Sequence, residues 1–196
     1  MSKIELWFPV AIYQETDTIS KEENDLLKQH SQYIKQTAPS GHDHWQGNTY
    51  TTHASYNILE DTKFSHIVNE ITKHVNSFAK QHTSGTYTDV YTCKHAWLNI
   101  AQEGNFQEYH SHNGSIFSAV YYVAAPEGSG KIVFEDPKEP DMLPLKKLDE
   151  RNELSFIKIS YPAMEGFLII FRSYLRHMVE AGTNKEDRIS IALNFS

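Results

Sequence analysis

The hydrophobic period of this chain changes near residue 86, and that change limits the fold more than any other feature. Beyond it, residues 87–101, 107–112, 116–125, 131–135, 154–161, 166–172, 175–180 and 188–195 each read as a short strand. Turn-forming runs separate them: Glu103-Gly104-Asn105, Asn113-Gly114, Pro126-Glu127-Gly128-Ser129-Gly130 and Gly182-Thr183-Asn184. Short strands in this number, following helical segments, suggest a double-sheeted barrel or sandwich with helices against one face. Eleven tyrosines and ten phenylalanines favour sheet over a helical bundle.

Before residue 86 the pattern is mixed. Residues 4–13 read as a strand, with Pro9 marking an edge or bulge. Ser20 and Glu23 form a capping box, and Leu26, Leu27, Tyr33 and Ile34 continue a helix to about 37. Residues 38–57 are loop-like. A second helix is expected over 61–82, where Phe64, Ile67, Val68, Ile71, Val75 and Phe78 share one face; Gly85 is its expected stop. The Pro-rich, charged stretch 136–153 is long for a connection and reads as a surface lid or functional loop. At 196 residues the chain is expected to form one domain, 1–196, with a helical N-terminal elaboration over 1–86 and a β core over 87–196.

Asp and Glu total 25 against 18 Lys and Arg, a net charge of −7. That disfavours a sequence-blind nucleic-acid binder or an anionic-membrane binder. The one cysteine, Cys93, excludes a disulfide framework and a Cys-rich zinc site. The opening MSKIELWFPV lacks the apolar core of a signal peptide. Apolar runs such as Phe167–Phe171 are far short of the ~20 residues a membrane span needs. A soluble, cytoplasmic protein is expected, or one of the host cytoplasm if a phage encodes it.

There are eleven histidines. His110 and His112 sit at the end of an expected strand, where residues i and i+2 face the same way and two imidazoles can reach one metal ion. His177 lies on a later expected strand. Three ligands on one side of an octahedral metal leave open positions for a cosubstrate and O₂, as at a non-haem Fe(II) site. The plainer explanation of a lone HxH is a pair of surface or satisfied core side chains. His42-Asp43-His44 shows how readily the pattern arises, since it lies among loop residues with no strand to direct it. His30, His66, His74 and His82 fall at polar helical positions and read as solvated.

The last strand alternates strictly. Ile189, Ile191, Leu193 and Phe195 form an apolar face; Arg188, Ser190, Ala192 and Asn194 form a polar and small one. Such a strand either lies at an edge with its polar face in water or lines a polar cavity. In the second case Arg188 offers a guanidinium fork for a carboxylate, with a hydroxyl beside it.

In order along the chain stand His110-Ser-His112, Tyr121-Tyr122-Val123, Gly128-Ser-Gly130-Lys-Ile132-Val-Phe134, Gly166-Phe-Leu-Ile-Ile-Phe171, His177 and Arg188-Ile-Ser190. This ordered set resembles the iron(II)- and 2-oxoglutarate-dependent oxygenase superfamily. Trp7-Phe8-Pro9 and Trp97-Leu98-Asn99 resemble a small branch of it found in bacteria and marine phages. The likeness covers roughly 90–196 well and the N-terminal half loosely. It implies a mainly β (α+β) fold, a cupin-like double-stranded β-helix or jelly roll with two N-terminal helices buttressing one face. It implies Fe(II), 2-oxoglutarate and O₂ as cofactor and cosubstrates. His110, His112 and His177 would ligate iron. Arg188, helped by Ser190 and Tyr122, would bind the distal carboxylate of 2-oxoglutarate. Ser118 and Asn194 face the same pocket by strand alternation, and Asn99 is a further candidate. The implied reaction is hydroxylation with release of succinate and CO₂.

His112 stands where the superfamily usually has Asp or Glu, though the small branch shares this HxH. Three neutral imidazoles leave an Fe(II) site one charge more positive, which favours a dianionic cosubstrate. Glu108, at i−2 to His110, is a rival third ligand. Two other functions stay open: a three-His cupin-type metalloenzyme without 2-oxoglutarate, and a non-enzymatic jelly-roll binding module. Neither gives an inward Arg188 an obvious anion. The substrate, small-molecule or peptidyl, would be read by loops around 38–57, 102–109 and 136–153. Strand 4–13 could pair across a homodimer.

Overall fold

A computed structural model of the chain describes residues 2–41, 46–83, 86, 88–138 and 150–196. The His42-Asp43-His44 loop, Gly85 and most of the 136–153 loop lie outside the described residues. Among the described residues, ten strands and two α-helices run in the order β1 (Ile12–Glu15), α1 (Lys21–Thr37), β2 (Tyr50–Thr51), α2 (Ser65–Lys80), β3 (Cys93–Ala101), β4 (Gln107–His110), β5 (Phe117–Ala124), β6 (Ile132–Glu135), β7 (Lys158–Tyr161), β8 (Leu168–Arg172), β9 (His177–Val179) and β10 (Arg188–Phe195). They form a six-stranded sheet, β1-β8-β5-β10-β3-β2, and a four-stranded sheet, β4-β9-β6-β7. Every pairing is antiparallel. This is the two-sheeted, mainly β architecture expected of a jelly roll, with two helices packed on one face.

Strand alternation sorts the core into two layers. Ile189, Ile191, Leu193 and Phe195 of β10 join Leu98, Ile100, Tyr121 and Val123 in the cluster that meets Leu27, Ile34, Ile67, Ile71 and Val75 of the helices. The smaller cluster, with Tyr122, Phe134, Ile169 and Phe171, fills part of the space between the sheets. Because β10 is central, between β5 and β3, its polar face is buried too. The edge-strand explanation of Arg188, Ser190 and Asn194 therefore fails, and the Arg188 and Ser190 side chains face the interior between the sheets.

α1 starts at the expected capping box: Glu23 N–H donates to Ser20 Oγ at 3.3 Å, and Ser20 N–H donates to the Glu23 carboxylate at 3.0 Å. Buried Asn24 fastens the helix to β5, donating to Val123 O at 2.9 Å and accepting from Tyr121 Oη at 2.8 Å. Of the residues expected to continue this helix, Leu27 and Ile34 are buried while Leu26 and Tyr33 are exposed. α2 begins four residues later than expected, because Asp61 caps a short 3₁₀ turn over Thr62–Phe64.

Three other expectations change. Only Ile12 and Tyr13 of the 4–13 stretch lie in a strand. β1 pairs with β8, from Ile12 opposite Phe171 to Glu15 opposite Leu168, and with no other strand among the described residues. Ahead of it Phe8 takes φ 60°, a left-handed conformation that breaks an extended run. β2 arises within the stretch read as loop, and it is two residues long. His30 is not solvated: its side chain is 10% exposed and hydrogen-bonds to the Asp61 carboxylate. No helix among the described residues is long and apolar enough to cross a membrane.

Candidate metal centre

β4 and β9 bring the histidines together. His110, the last residue of β4, lies directly opposite His177, the first of β9. His112 follows two residues on, where its N–H donates to Ser173 O at 3.0 Å. The ligand nitrogens of His110, His112 and His177 all lie within 4.8 Å of one another. His110 Nδ1 is 2.7 Å from Glu108 O, and His177 Nδ1 is 2.9 Å from Leu175 O. A carbonyl can only accept, so each Nδ1 carries the hydrogen and each Nε2 keeps its lone pair for a metal. His112 and His177 face one another through their Nε2 atoms at 3.3 Å.

Burial sets the charge of this cluster. Desolvation lowers the pKa of all three imidazoles, that of His112 to about 4 and that of His177 well below 6.5; at His112 and His177 the neighbouring histidines add to the effect. Neutral imidazoles with convergent lone pairs are the form that ligates a metal ion. The donor set and its geometry fit a facially bound divalent cation.

Glu108 does not join the group. One carboxylate oxygen accepts from Gln46 N–H at 2.7 Å; the other is buried without a partner among the described residues. The β4–β9 register breaks between Gln107 and His110, so simple i, i+2 alternation does not carry from His110 back to Glu108.

An inner cavity runs from the histidines to Arg188 and is also lined by Asn99, Ser118, Tyr122 and Ser190. Arg188 is 4% exposed. Its Nη1 donates to Gly130 O at 3.2 Å, its guanidinium lies 6.0 Å from the Tyr122 ring centre, and among the described residues its Nε has no partner. Burial lowers its pKa and raises that of Tyr122. Among the described residues no carboxylate forms an ion pair with Arg188. A guanidinium remains charged even when buried, and an unpaired buried charge is costly, so the cavity suits an anion.

Asn194 lies elsewhere, on an outer cleft of about 1200 Å³ that opens over His110 and His112. Trp97 and His53 border the same cleft. The Trp97 ring stacks on His112 at 5.7 Å and 24°, and His53 meets Trp97 edge-on at 4.9 Å. Neither contact was expected as part of the site. Trp97 belongs to a string noted in the resemblance, but its apolar character reads equally as core; His53 carries no signal in the sequence.

Two antiparallel sheets with a three-imidazole cluster between them define a double-stranded β-helix with a candidate metal centre. Residues 95–194 match the family model described as "Putative 2OG-Fe(II) oxygenase", and the chain belongs to that family, which uses Fe(II), 2-oxoglutarate and O₂. No curated protein sequence matches the chain. Solved structures share the fold at low identity. A Pseudomonas putida prolyl-4-hydroxylase is 10% identical, with 95% of this chain and 92% of that one covered and a TM-score of 0.63. A viral collagen prolyl hydroxylase from Paramecium Bursaria Chlorella virus-1, in complex with 2-oxoglutarate, is 15% identical, with 94% of each chain covered and a TM-score of 0.58. The epimerase SnoN from nogalamycin biosynthesis, in complex with Fe³⁺, α-ketoglutarate and nogalamycin RO, is 11% identical, with 95% and 78% covered and a TM-score of 0.67.

Proposed function

We propose that the protein is an Fe(II)- and 2-oxoglutarate-dependent dioxygenase that hydroxylates a small-molecule or peptidyl substrate. The observation that carries this reading is the buried Arg188, without a carboxylate partner among the described residues, in the same cavity as three convergent imidazoles. His110, His112 and His177 hold the metal through Nε2. Arg188 binds the far carboxylate of 2-oxoglutarate, which replaces the missing counter-charge. Ser190 and Tyr122 donate hydroxyl hydrogens to the same group, and Asn99 and Ser118 complete the lining. Burial of these groups excludes water and strengthens each polar contact. Fe(II) and 2-oxoglutarate, when bound, supply the oxidation of a substrate C–H bond by O₂, with succinate and CO₂ released. The protein's share is ligand geometry, a dry cavity and placement of the substrate in the outer cleft. A three-His cupin chemistry without 2-oxoglutarate leaves Arg188 with no anion to bind.

The test is release of succinate from 2-oxoglutarate with Fe(II) and ascorbate, over a panel of substrates. Iron-dependent release by the wild-type protein, abolished in His177→Ala, is the expected outcome. Equal rates for the two proteins contradict the proposal.

A further inference from the structure

The three imidazoles are not held alike. His110 and His177 stand opposite one another in paired strands, and each ring rests on a main-chain carbonyl, at 2.7 and 2.9 Å. His112 lies two residues past the end of β4, outside the ladder. Its ring is met by an indole: Trp97 stacks on it, with ring centres 5.7 Å apart and planes 24° apart. Trp97 is 7% exposed and belongs to β3, which is flanked on both sides by β10 and β2. Its cross-strand neighbour is Ala192, one of the small residues on the polar face of β10. A methyl group there leaves room for the indole, and His53 meets the indole edge-on at 4.9 Å and 86°. Like His110 and His112, Trp97 borders both the inner cavity and the outer cleft. A fixed aromatic ring therefore stands at the junction of the two compartments, against the least anchored of the three histidines.

Building on the proposed metal centre, we infer that Trp97 is a positioning residue for the third imidazole: its buried indole braces the His112 ring so that Nε2 stays turned toward the other two ligands. A histidine side chain rotates about two bonds, and only some of its rotamers bring Nε2 to the metal. A broad ring held against the imidazole disfavours the rotamers that swing it away. More of the metal-free protein is then ready to bind, and the apparent affinity rises with that fraction. The brace suits an imidazole in particular, because a carboxylate has no ring face to stack on.

The experiment titrates Co(II) into metal-free wild-type, Trp97→Phe and Trp97→Leu proteins, and into the same set carrying His112→Asp, following the visible d–d absorption of the bound ion. Leucine keeps apolar bulk without a ring face, and phenylalanine restores one. From the strength of aromatic pairs, Trp97→Leu should weaken binding roughly 3–10-fold and shift the d–d bands, while Trp97→Phe recovers most of the loss. In the His112→Asp background the Trp97→Leu change should leave affinity within about twofold, since no ring is left to brace. A merely structural Trp97 lowers the urea midpoint and moves neither affinity nor bands. Unchanged Co(II) affinity in folded Trp97→Leu, or an equal loss in both backgrounds, overturns the inference and leaves the metal centre standing. If Trp97→Leu does not fold, Trp97→Met, an adaptable apolar chain without a ring, takes its place in the same comparison. Failure of wild type to bind Co(II) overturns the metal centre and the inference with it.

Discussion

A histidine in water titrates near pH 6.5, about where a cell would leave it partly charged. Burial keeps the three here neutral, which suits ligation and sets a pH dependence. In the metal-free protein the unfolded chain takes up protons as pH falls through 6.5, whereas folded His112 resists until about pH 4. The unfolded state binds more protons across that window, so stability declines as pH drops through it and levels off below. His110 and His177 act in the same direction. Urea midpoints of the chelator-treated protein should fall steadily between pH 6.5 and 4.5; a flat series contradicts burial of the cluster. At this scale the sequence was readable where residue type and strand period coincide, as at His110 and Arg188; His112 falls two residues past the end of β4, where spacing alone pointed to it. It was ambiguous at Glu108, where a register break in β4 spoils alternation, and at Asn194, whose strand face is legible but whose partners depend on β5 and the turn at Ser173.

Elements place these side chains, and the glycine-rich turn between β5 and β6 does so most directly. Gly130 O accepts from Arg188, and a Cβ on Gly130 would sit 1.9 Å from Glu180 O. Backbone cannot yield easily there, so Gly130→Ala must displace the turn and with it the Arg188 contact. A cost of roughly 1–3 kcal/mol in urea denaturation is expected from such overpacking, together with weaker 2-oxoglutarate binding. A variant of wild-type stability and affinity would remove the turn from the site. The same turn was visible in the sequence as punctuation, without its job. Strand existence from β3 to β10 was legible because alternation and turn residues agree there. The stretch 4–13 misled because apolar residues alone do not make a strand: Ile4, Leu6, Trp7, Phe8 and Val10 are exposed. β2 was invisible because two residues carry no period.

Across the molecule, a chain of net charge −7 keeps one guanidinium buried between its sheets, facing three neutral imidazoles. The surface charge says nothing of this, and composition alone pointed away from anions. The two-layer sort of the strands produces it, since one face of the large sheet packs under helices and the other lines the cavity. Equilibrium titration of 2-oxoglutarate into Mn(II)-loaded protein, without O₂, measures the pairing directly. Wild type should bind one equivalent, and Arg188→Ala should keep its metal but lose 2-oxoglutarate affinity on the order of 100-fold, as expected for removal of a buried charge-assisted partner. Equal 2-oxoglutarate affinity in the two proteins would contradict the assignment of Arg188 and the oxygenase reading built on it.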